Sequence, residues 1–420
     1  MIYQFSVKNF RSYKEEASLS FSALDSSCLS NNYKTVSLED GSKIDVLTSA
    51  VILGANGSGK SNLIWGLYAL STMVKDSRSW DSITRIPFYW PFLLDDRVIT
   101  NPVEMTISFT TKGRMFVYEL AYTQIVLKEE LYELINSEKV LVFKREDNQL
   151  HTNGAWPDIA VNLDEIKPLS TQLLLSWLGT KDAGRLLDVY AELAGIQAFP
   201  IYNGINYKAI SIDVSENILR NSNTQEFKLL EKLIREADSS ILGLKMAKHS
   251  PGEFQFPEGV TEIVRQNFIR EYSWEIGATH KAFGKDGNVI PRAIQLDDES
   301  TGTKSIYGVG SRVFHSLQTG SFLVYDEINS SIHPDLAQKL ISLYSDSSLN
   351  EHNAQLLFTT HDAALIGDYE LRADQVWFAE KDQYGNSSLF SAQDFDGVDI
   401  NTPFESWYRA GRFGARPYSK

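Results

Sequence analysis

Tyr3, Phe5 and Val7 alternate with polar neighbours, and Ala17, Leu19 and Phe21 repeat that period after a short charged turn, which predicts an opening antiparallel pair. The unbroken run Ala50-Val51-Ile52-Leu53 predicts a strand buried on both faces. Beyond it, Leu63, Leu67, Leu70 and Val74 recur at helical spacing. The segments VEMTISF, RMFVYELAY and KVLVFKRE, between about 101 and 145, are short and β-prone and predict an antiparallel sheet. TQLLLSWLG, RLLDVYAELAG and EFKLLEKLIREA carry a 3.6-residue period and predict helices. Strand-like pieces return at 272–283 and 289–296. From residue 300 the chain alternates helix (Ile306, Val309, Val313, Leu317), strand (322–325), helix (Leu336, Leu340, Ile341, Tyr344), strand (355–359), short helix and strand (375–379). That alternation predicts a parallel, helix-covered sheet in which 50–53 and 322–325 are both strands.

The chain has 420 residues, enough for two to three domains or one large domain with an insertion. The expected division is an N-terminal lobe at 1–150, a mainly helical insertion or lid at 151–285, and a C-terminal lobe at 286–420. The formal net charge of −14 repels phosphate backbones and anionic lipid, so any nucleic-acid contact must be a local basic patch. Cys28 is the one cysteine, which excludes an internal disulfide framework and a Cys-rich zinc site and points to a reducing cytoplasm. The opening MIYQFSVKNFRSYK lacks an apolar signal region, and no apolar run approaches the ~18 residues a membrane span needs. No membrane partner is expected.

The segment Gly54-Ala55-Asn56-Gly57-Ser58-Gly59-Lys60-Ser61, followed by Asn62, fits G-x-x-x-x-G-K-[ST] between a buried strand and a helix. Glycines let successive backbone N–H groups curl around phosphate oxygens, and the positive end of the helix completes the nest. Lys60 would reach the β- and γ-phosphates of ATP, and the Ser61 hydroxyl would ligate Mg²⁺. In Phe322-Leu323-Val324-Tyr325-Asp326-Glu327, an apolar strand ends in two carboxylates. It can deliver Asp326 to the metal and leave Glu327 to orient or deprotonate the attacking water; taken alone, such a pair is usually just a solvated strand end. Ser300-Thr301-Gly302-Thr303-Lys304 opens a helix, with Asp297, Asp298 and Glu299 near its positive end. By itself this is a capping sequence, although its donors suit a γ-phosphate held by another chain equally well. His361 follows the strand LLFTT at the carboxyl edge where α/β sheets place ligands.

In that order, the elements resemble the ABC-type ATPase heads of the SMC and RecF kind, and more closely the compact bacterial ATPases of OLD-like and abortive-infection type, AAA-family proteins of anti-phage defence. The resemblance rests on VKNFRSYK, GANGSGKS, ESTGTKS, YDEINSSIHPDL and WYRAGRFGARP and covers about 1–75 and 290–420. It implies an α/β P-loop NTPase of ABC/SMC-head type with an antiparallel β lobe and a helical insertion. It also implies a homodimer or higher homo-oligomer formed as a head-to-tail ATP sandwich. Gly54, Asn56, Gly57, Gly59, Lys60 and Ser61 of one protomer would hold ATP, and Ser300 and Gly302 of the other would close over its γ-phosphate. Glu327 would be the general base, His361 the γ-phosphate switch, and Ser330 to His333 the turn joining the two sites. Arg11 would sit near the phosphates; its other reading is a solvated hairpin charge.

Two features depart from the pattern or imitate another. No glutamine stands in a persuasive metal-contacting position after the first helix, Gln124 being the nearest. Asp394, Asp396 and Asp399 imitate a nuclease cluster, but too little chain remains to build a sheet around them. Three functions follow. The first is an ATP-hydrolysing subunit of an abortive-infection type defence system controlling a separate, nuclease-like effector. The second is a RecF/SMC-like DNA-binding repair ATPase, whose basic groove would draw on Lys8, Arg11, Lys14, Arg409, Arg412 and Arg416. The third is a scaffold with ATP as structural glue, which has no use for Glu327.

Overall fold

The computed structural model describes residues 1–24, 28–81, 83, 85–146, 149–153, 167–179, 184–200, 225–367 and 371–415. The chain divides into two units. The first comprises Met1–Ile201, Gly320–Glu327 and Ile341–Lys420, and the second Tyr202–Thr319 and Ile328–Leu340.

The first unit contains a seven-stranded antiparallel sheet. Its strands are β1 (Ile2–Lys8), β2 (Ala17–Ser20), β6 (Val103–Thr111), β7 (Arg114–Tyr122), β8 (Val126–Ile135), β9 (Glu138–Glu146) and β10 (Gln149–Thr152), in the order β10-β9-β8-β7-β6-β1-β2. The opening pair forms as its alternation predicts, with Phe5 opposite Leu19 and Val7 opposite Ala17, all buried. A small hairpin, β3 (Tyr33–Ser37) and β4 (Lys43–Leu47), lies outside this sheet.

Strand β8 lies between the segments expected to be strands and is not among them; it carries Glu129, Glu130 and Glu133. All three are buried. Glu129 accepts hydrogen bonds from the Tyr118 hydroxyl (2.9 Å) and from the backbone N–H groups of Leu174 (2.7 Å) and Leu175 (2.9 Å). It thereby caps, from another strand, the helix α2 (Leu174–Leu178), whose own Leu173 offers no capping side chain.

A second sheet carries β11 (Gln197–Phe199), β15 (Phe322–Tyr325), β16 (Gln355–Thr360), β5 (Ser49–Leu53), β17 (Val376–Lys381) and β18 (Ser387–Ser391) in that order. The first five are parallel and β18 is antiparallel to β17. The runs expected at 50–53 and 322–325 do share this sheet, with β16 between them. Every residue of β5, β15 and β16 is buried, as strands covered on both faces must be. Helices α1 (Lys60–Asp76) and α3 (Arg185–Ala194) follow the predicted period, and the buried residues of α1 join one hydrophobic core with those of both sheets. The edge strand β11, only three residues long, had no readable pattern and is recruited by parallel pairing with β15.

The second unit contains α4 (Gln225–Ala237), α5 (Glu262–Tyr272) and α6 (Thr301–Thr319), with a three-stranded antiparallel sheet in the order β12 (Ile241–Lys248), β13 (Trp274–Phe283), β14 (Val289–Gln295). Helix α7 (Pro334–Ser342) begins in this unit. The last helix of the chain, α8 (Phe404–Arg409), belongs to the first unit. Among the described residues, no helix is long and apolar enough to cross a membrane.

Candidate functional site

Parallel pairing brings three strand ends to one edge of the second sheet. Phe358 of β16 lies opposite both Tyr325 of β15 and Val51 of β5, and Thr360 lies opposite Leu53. The glycine loop, the Asp326-Glu327 pair and His361 therefore all leave the sheet at its carboxyl edge, where open α/β sheets bind ligands.

The loop turns sharply from β5 into α1. Gly54 is required by crowding, since a Cβ there would collide with the carbonyl of Ala379 on β17. Gly59 precedes α1 at φ 115°, a conformation L side chains rarely adopt, and no side chain caps the helix start. Lys60 is 5% exposed. Its ammonium donates to the carbonyls of Gly54 (2.7 Å) and Ala55 (3.2 Å) and stands 4.0 Å from Oε1 of Glu327. Burial lowers the pKa of Lys60, and the nearby Glu327 and Asp326 carboxylates oppose that shift. A cavity of about 290 Å³ opens here, lined by Asn56 to Asn62, Glu327 and Lys381.

Asp326 is buried and accepts a 2.5 Å hydrogen bond from the Thr359 hydroxyl. Glu327 has φ 52°, and this left-handed step turns its side chain out of the strand line. Its Oε2 lies 2.6 Å from Nδ1 of His361, whose ring is more than half exposed. Lys60, Asp326, Glu327 and His361 thus meet within the first unit.

Arg11 does not line the cavity. Its guanidinium is held between the rings of Trp65 (4.8 Å) and Trp90 (4.4 Å), and it donates to Asn62 Oδ1 (3.2 Å). Burial lowers its pKa. The amide of Asn62 donates in turn to the Ser12 hydroxyl (2.7 Å). Arg11 reaches the glycine loop through Asn62, and the reading of it as a solvated hairpin charge does not describe its surroundings.

Ser300 and Gly302 belong to the second unit. Ser300 is exposed immediately before α6, and its Oγ accepts the N–H of Thr303 (3.1 Å), as a helix cap does. The carbonyl of Ser331 lies near Gly302, close to where a side chain would begin. Ser330, Ser331 and His333 are exposed.

Other residues singled out by pattern stand elsewhere. Gln124 is exposed in the turn between β7 and β8 and does not line the cavity. Asp394 accepts the N–H of Ser391 (2.9 Å) and Asp399 that of Asn401 (2.9 Å), so both close turns. Among the described residues, no group of three His, Cys, Asp or Glu side chains is placed to hold a metal ion. Of the groove candidates, Lys8 pairs with Glu104 (3.1 Å), Lys14 with Asp95 (3.0 Å) and Arg409 with Glu405 (2.8 Å), while Arg412 stacks on Trp407. Arg416 lies outside the described residues. Two residues of the site carried no sequence signal. Lys381 belongs to no motif, and Thr359 sits inside a run that reads only as a strand.

The residues fit a nucleotide's phosphate chain. The Ser58 hydroxyl is buried without a hydrogen-bond partner among the described residues, α1 starts uncapped, and Lys60 and Lys381 bring two cations to one cavity. Ser61 and Asp326 supply the hydroxyl and carboxylate oxygens that suit Mg²⁺.

The family described as "AAA domain, putative AbiEii toxin, Type IV TA system" matches residues 49–367. No curated protein matches the chain. Among solved structures, an SmcHead bound to the C-winged helix domain of ScpA is 13% identical, covering 93% of this chain and 97% of that one with a TM-score of 0.47. The SMC head domain from Thermotoga maritima is 15% identical, covering 93% and 98% at 0.39. An Smc head domain with a coiled coil and joint derived from Pyrococcus yayanosii is 11% identical, covering 97% and 99% at 0.45.

Proposed function

The chain belongs to the AAA-domain family described as putative AbiEii toxin, type IV TA system, and from that premise we propose that it is the ATP-hydrolysing subunit of an abortive-infection type anti-phage defence system. In this reading, its heads pair around ATP and control a separate effector such as a nuclease. The observation that carries the hydrolytic part is the convergence of Lys60, Asp326, Glu327 and His361 at the carboxyl edge of the second sheet.

Each residue has a role in that chemistry. The N–H groups of the glycine loop and of the start of α1 bind phosphate oxygens, and Lys60 exchanges its carbonyl partners for them. Ser61 and Asp326 are the residues that would hold Mg²⁺, which supplies neutralisation of the charge developing on the transferred phosphoryl group. Glu327 takes the proton of the attacking water through Oε1 or Oε2, and His361 orients that carboxylate through its 2.6 Å contact. Ser300 and Gly302 of a second protomer close the pocket, with Ser330 to His333 as the link between the paired sites. The insertion at about 155–270 is assigned to partner recognition.

The test is made on the purified chain and on the native assembly. Steady-state ATP turnover lost in Glu327→Gln, with a doubled mass in ATP measured by light scattering, supports hydrolysis and the sandwich. Co-elution of a nuclease-like protein from the native host supports the defence role. A chain that stays monomeric in saturating ATP overturns the sandwich. Tight, salt-steep duplex binding by the chain alone would replace the defence reading with the DNA-repair one.

A further inference from the structure

A single hydroxyl ties together the two carboxylate residues of the site. The register that sets Tyr325 opposite Phe358 brings the next residue of β16, Thr359, beside Asp326. Thr359 is fully buried. Its Oγ1 donates to Oδ1 of Asp326 at 2.5 Å and accepts the backbone N–H of Glu327 at 2.9 Å. A threonine hydroxyl has one proton and two lone pairs, and an amide N–H can only donate. The direction of both bonds is thereby fixed, with the proton pointing at the Asp326 carboxylate.

We propose that Thr359 is a positioning residue for nucleotide hydrolysis, setting the rotamer of the Asp326 carboxylate and the left-handed backbone of Glu327 at the same time. The proposal rests on the ATPase reading of the site. The N–H bond to Thr359 holds Glu327 at φ 52°, and that turn lets one carboxylate face both Lys60 and His361. The hydroxyl also fixes one oxygen of Asp326, so that the carboxylate meets a cation in one orientation. Two residues further along the same strand line, His361 leaves β16, so Asp326, Glu327 and His361 are all placed by one strand pair.

The test compares Thr359→Val, which keeps the shape and removes the hydroxyl, with Thr359→Ser, which keeps the hydroxyl and removes the methyl. Turnover number, KM for ATP and the Mg²⁺ concentration for half-maximal effect are measured, with nucleotide binding in EDTA as the metal-free control. The expected result is a kcat at least tenfold lower and a raised Mg²⁺ requirement in Thr359→Val, unchanged binding in EDTA, and recovery to within twofold in Thr359→Ser. A Thr359→Val enzyme with wild-type kcat and Mg²⁺ dependence overturns the proposal, as does a Thr359→Ser variant as impaired as Thr359→Val. Should Thr359→Val not fold, Thr359→Cys, which keeps the volume and a weak donor, is read by the same criteria. Wild-type chain that binds Mg²⁺ and nucleotide without turnover would overturn the ATPase reading and the hydrolytic half of the proposal, leaving the setting of the Asp326 carboxylate to be tested. Thr359 is then judged by whether Thr359→Val weakens the Mg²⁺ enhancement of binding. Wild-type chain that binds no nucleotide overturns both.

Discussion

Oε2 of Glu327 lies 2.6 Å from Nδ1 of His361, while its other carboxylate oxygen faces the Lys60 ammonium at 4.0 Å. The carboxylate is therefore aimed by one neighbour and charge-balanced by another. Removing its charge and removing its aiming partner should have different consequences. Glu327→Gln should lower kcat by about 10²- to 10⁴-fold with ATP affinity kept, the usual loss of a general base. His361→Ala should cost less, because the base remains and only its orientation is relaxed. Phosphate release, together with nucleotide titration, checks both; equal losses in the two variants would mean that His361 does more than orient.

Lys60 trades stability for binding. Burial lowers its pKa, so over the range between that lowered value and the ordinary ~10.4 the unfolded chain binds more protons than the folded one. Its contribution to stability accordingly rises with pH through that range and is unfavourable at neutral pH. Lys60→Met should leave the fold at least as stable at pH 7, the advantage shrinking as the pH rises toward ~10.4 and gone above it. ATP affinity should fall by about tenfold to a hundredfold, the worth of a charged phosphate contact. Urea unfolding across pH and a nucleotide titration give the two halves of this result.

The legible parts of the molecule were those whose pattern and environment agree. Ala50 to Leu53 is apolar because β5 is covered on both faces, and Leu63, Leu67, Leu70 and Val74 keep a helical period because α1 buries one stripe. That Asp326 and His361 stand near the glycine loop followed from expecting parallel strands. Strand β8 was illegible because its glutamates are buried against partners that only the fold assembles. Glu130, for instance, is held by Lys128 (2.7 Å) and Lys144 (3.3 Å). Strand β11 was too short to show a period. Lys381 and Thr359 carry ordinary strand residues' signatures and gain their positions from register alone.

Glu129 is the most consequential of those buried carboxylates. Desolvation raises its pKa, opposed by Arg145, the N–H groups of Leu175 and Leu174, and Tyr118. With a folded pKa above the unfolded value of about 4.3, its contribution is full below that pH and is lost as the pH rises toward the folded value. Its ionised form is nevertheless held by a set of donors that have no substitute. Glu129→Ala should destabilise by about 3–5 kcal/mol, removing the carboxylate that pairs with Arg145 and accepts the N–H groups at the start of α2. Denaturant unfolding checks this; a loss under about 1 kcal/mol would mean that water or relaxation replaces the carboxylate.

Lys381 stands at the end of β17 and faces the same cavity as Lys60. It forms no ion pair within 4.0 Å among the described residues, so its charge is available to a ligand. Lys381→Ala should raise the Kd for ATP by about tenfold with little effect on the turnover number at saturation, the pattern of a residue that binds ground state and transition state alike. Lys381→Arg should retain most of the affinity. A lowered kcat with unchanged KM would instead assign Lys381 to the transition state.

The tail of the described chain bears on the glycine loop from outside the cavity. Ala415, at φ 54°, presents its carbonyl to the N–H of Ala55 (3.0 Å) and to the Tyr408 hydroxyl (3.1 Å). That placement is anchored by Phe413, which is buried and stacks on Phe378 of β17 with ring centroids 4.7 Å apart. Phe413→Ala should cost about 3–5 kcal/mol as a core truncation. Because the anchor also holds the carbonyl that satisfies Ala55, the variant should bind ATP more weakly even where it remains folded. Tyr408→Phe separates the two effects, since it deletes only the second donor to the Ala415 carbonyl and leaves the ring in place against Phe378. It should keep ATP affinity at wild-type strength with a loss of about 1 kcal/mol in stability. If Phe413→Ala lost stability by that full amount and bound ATP as the parent does, the tail would be packing alone and the glycine loop would keep its shape without it.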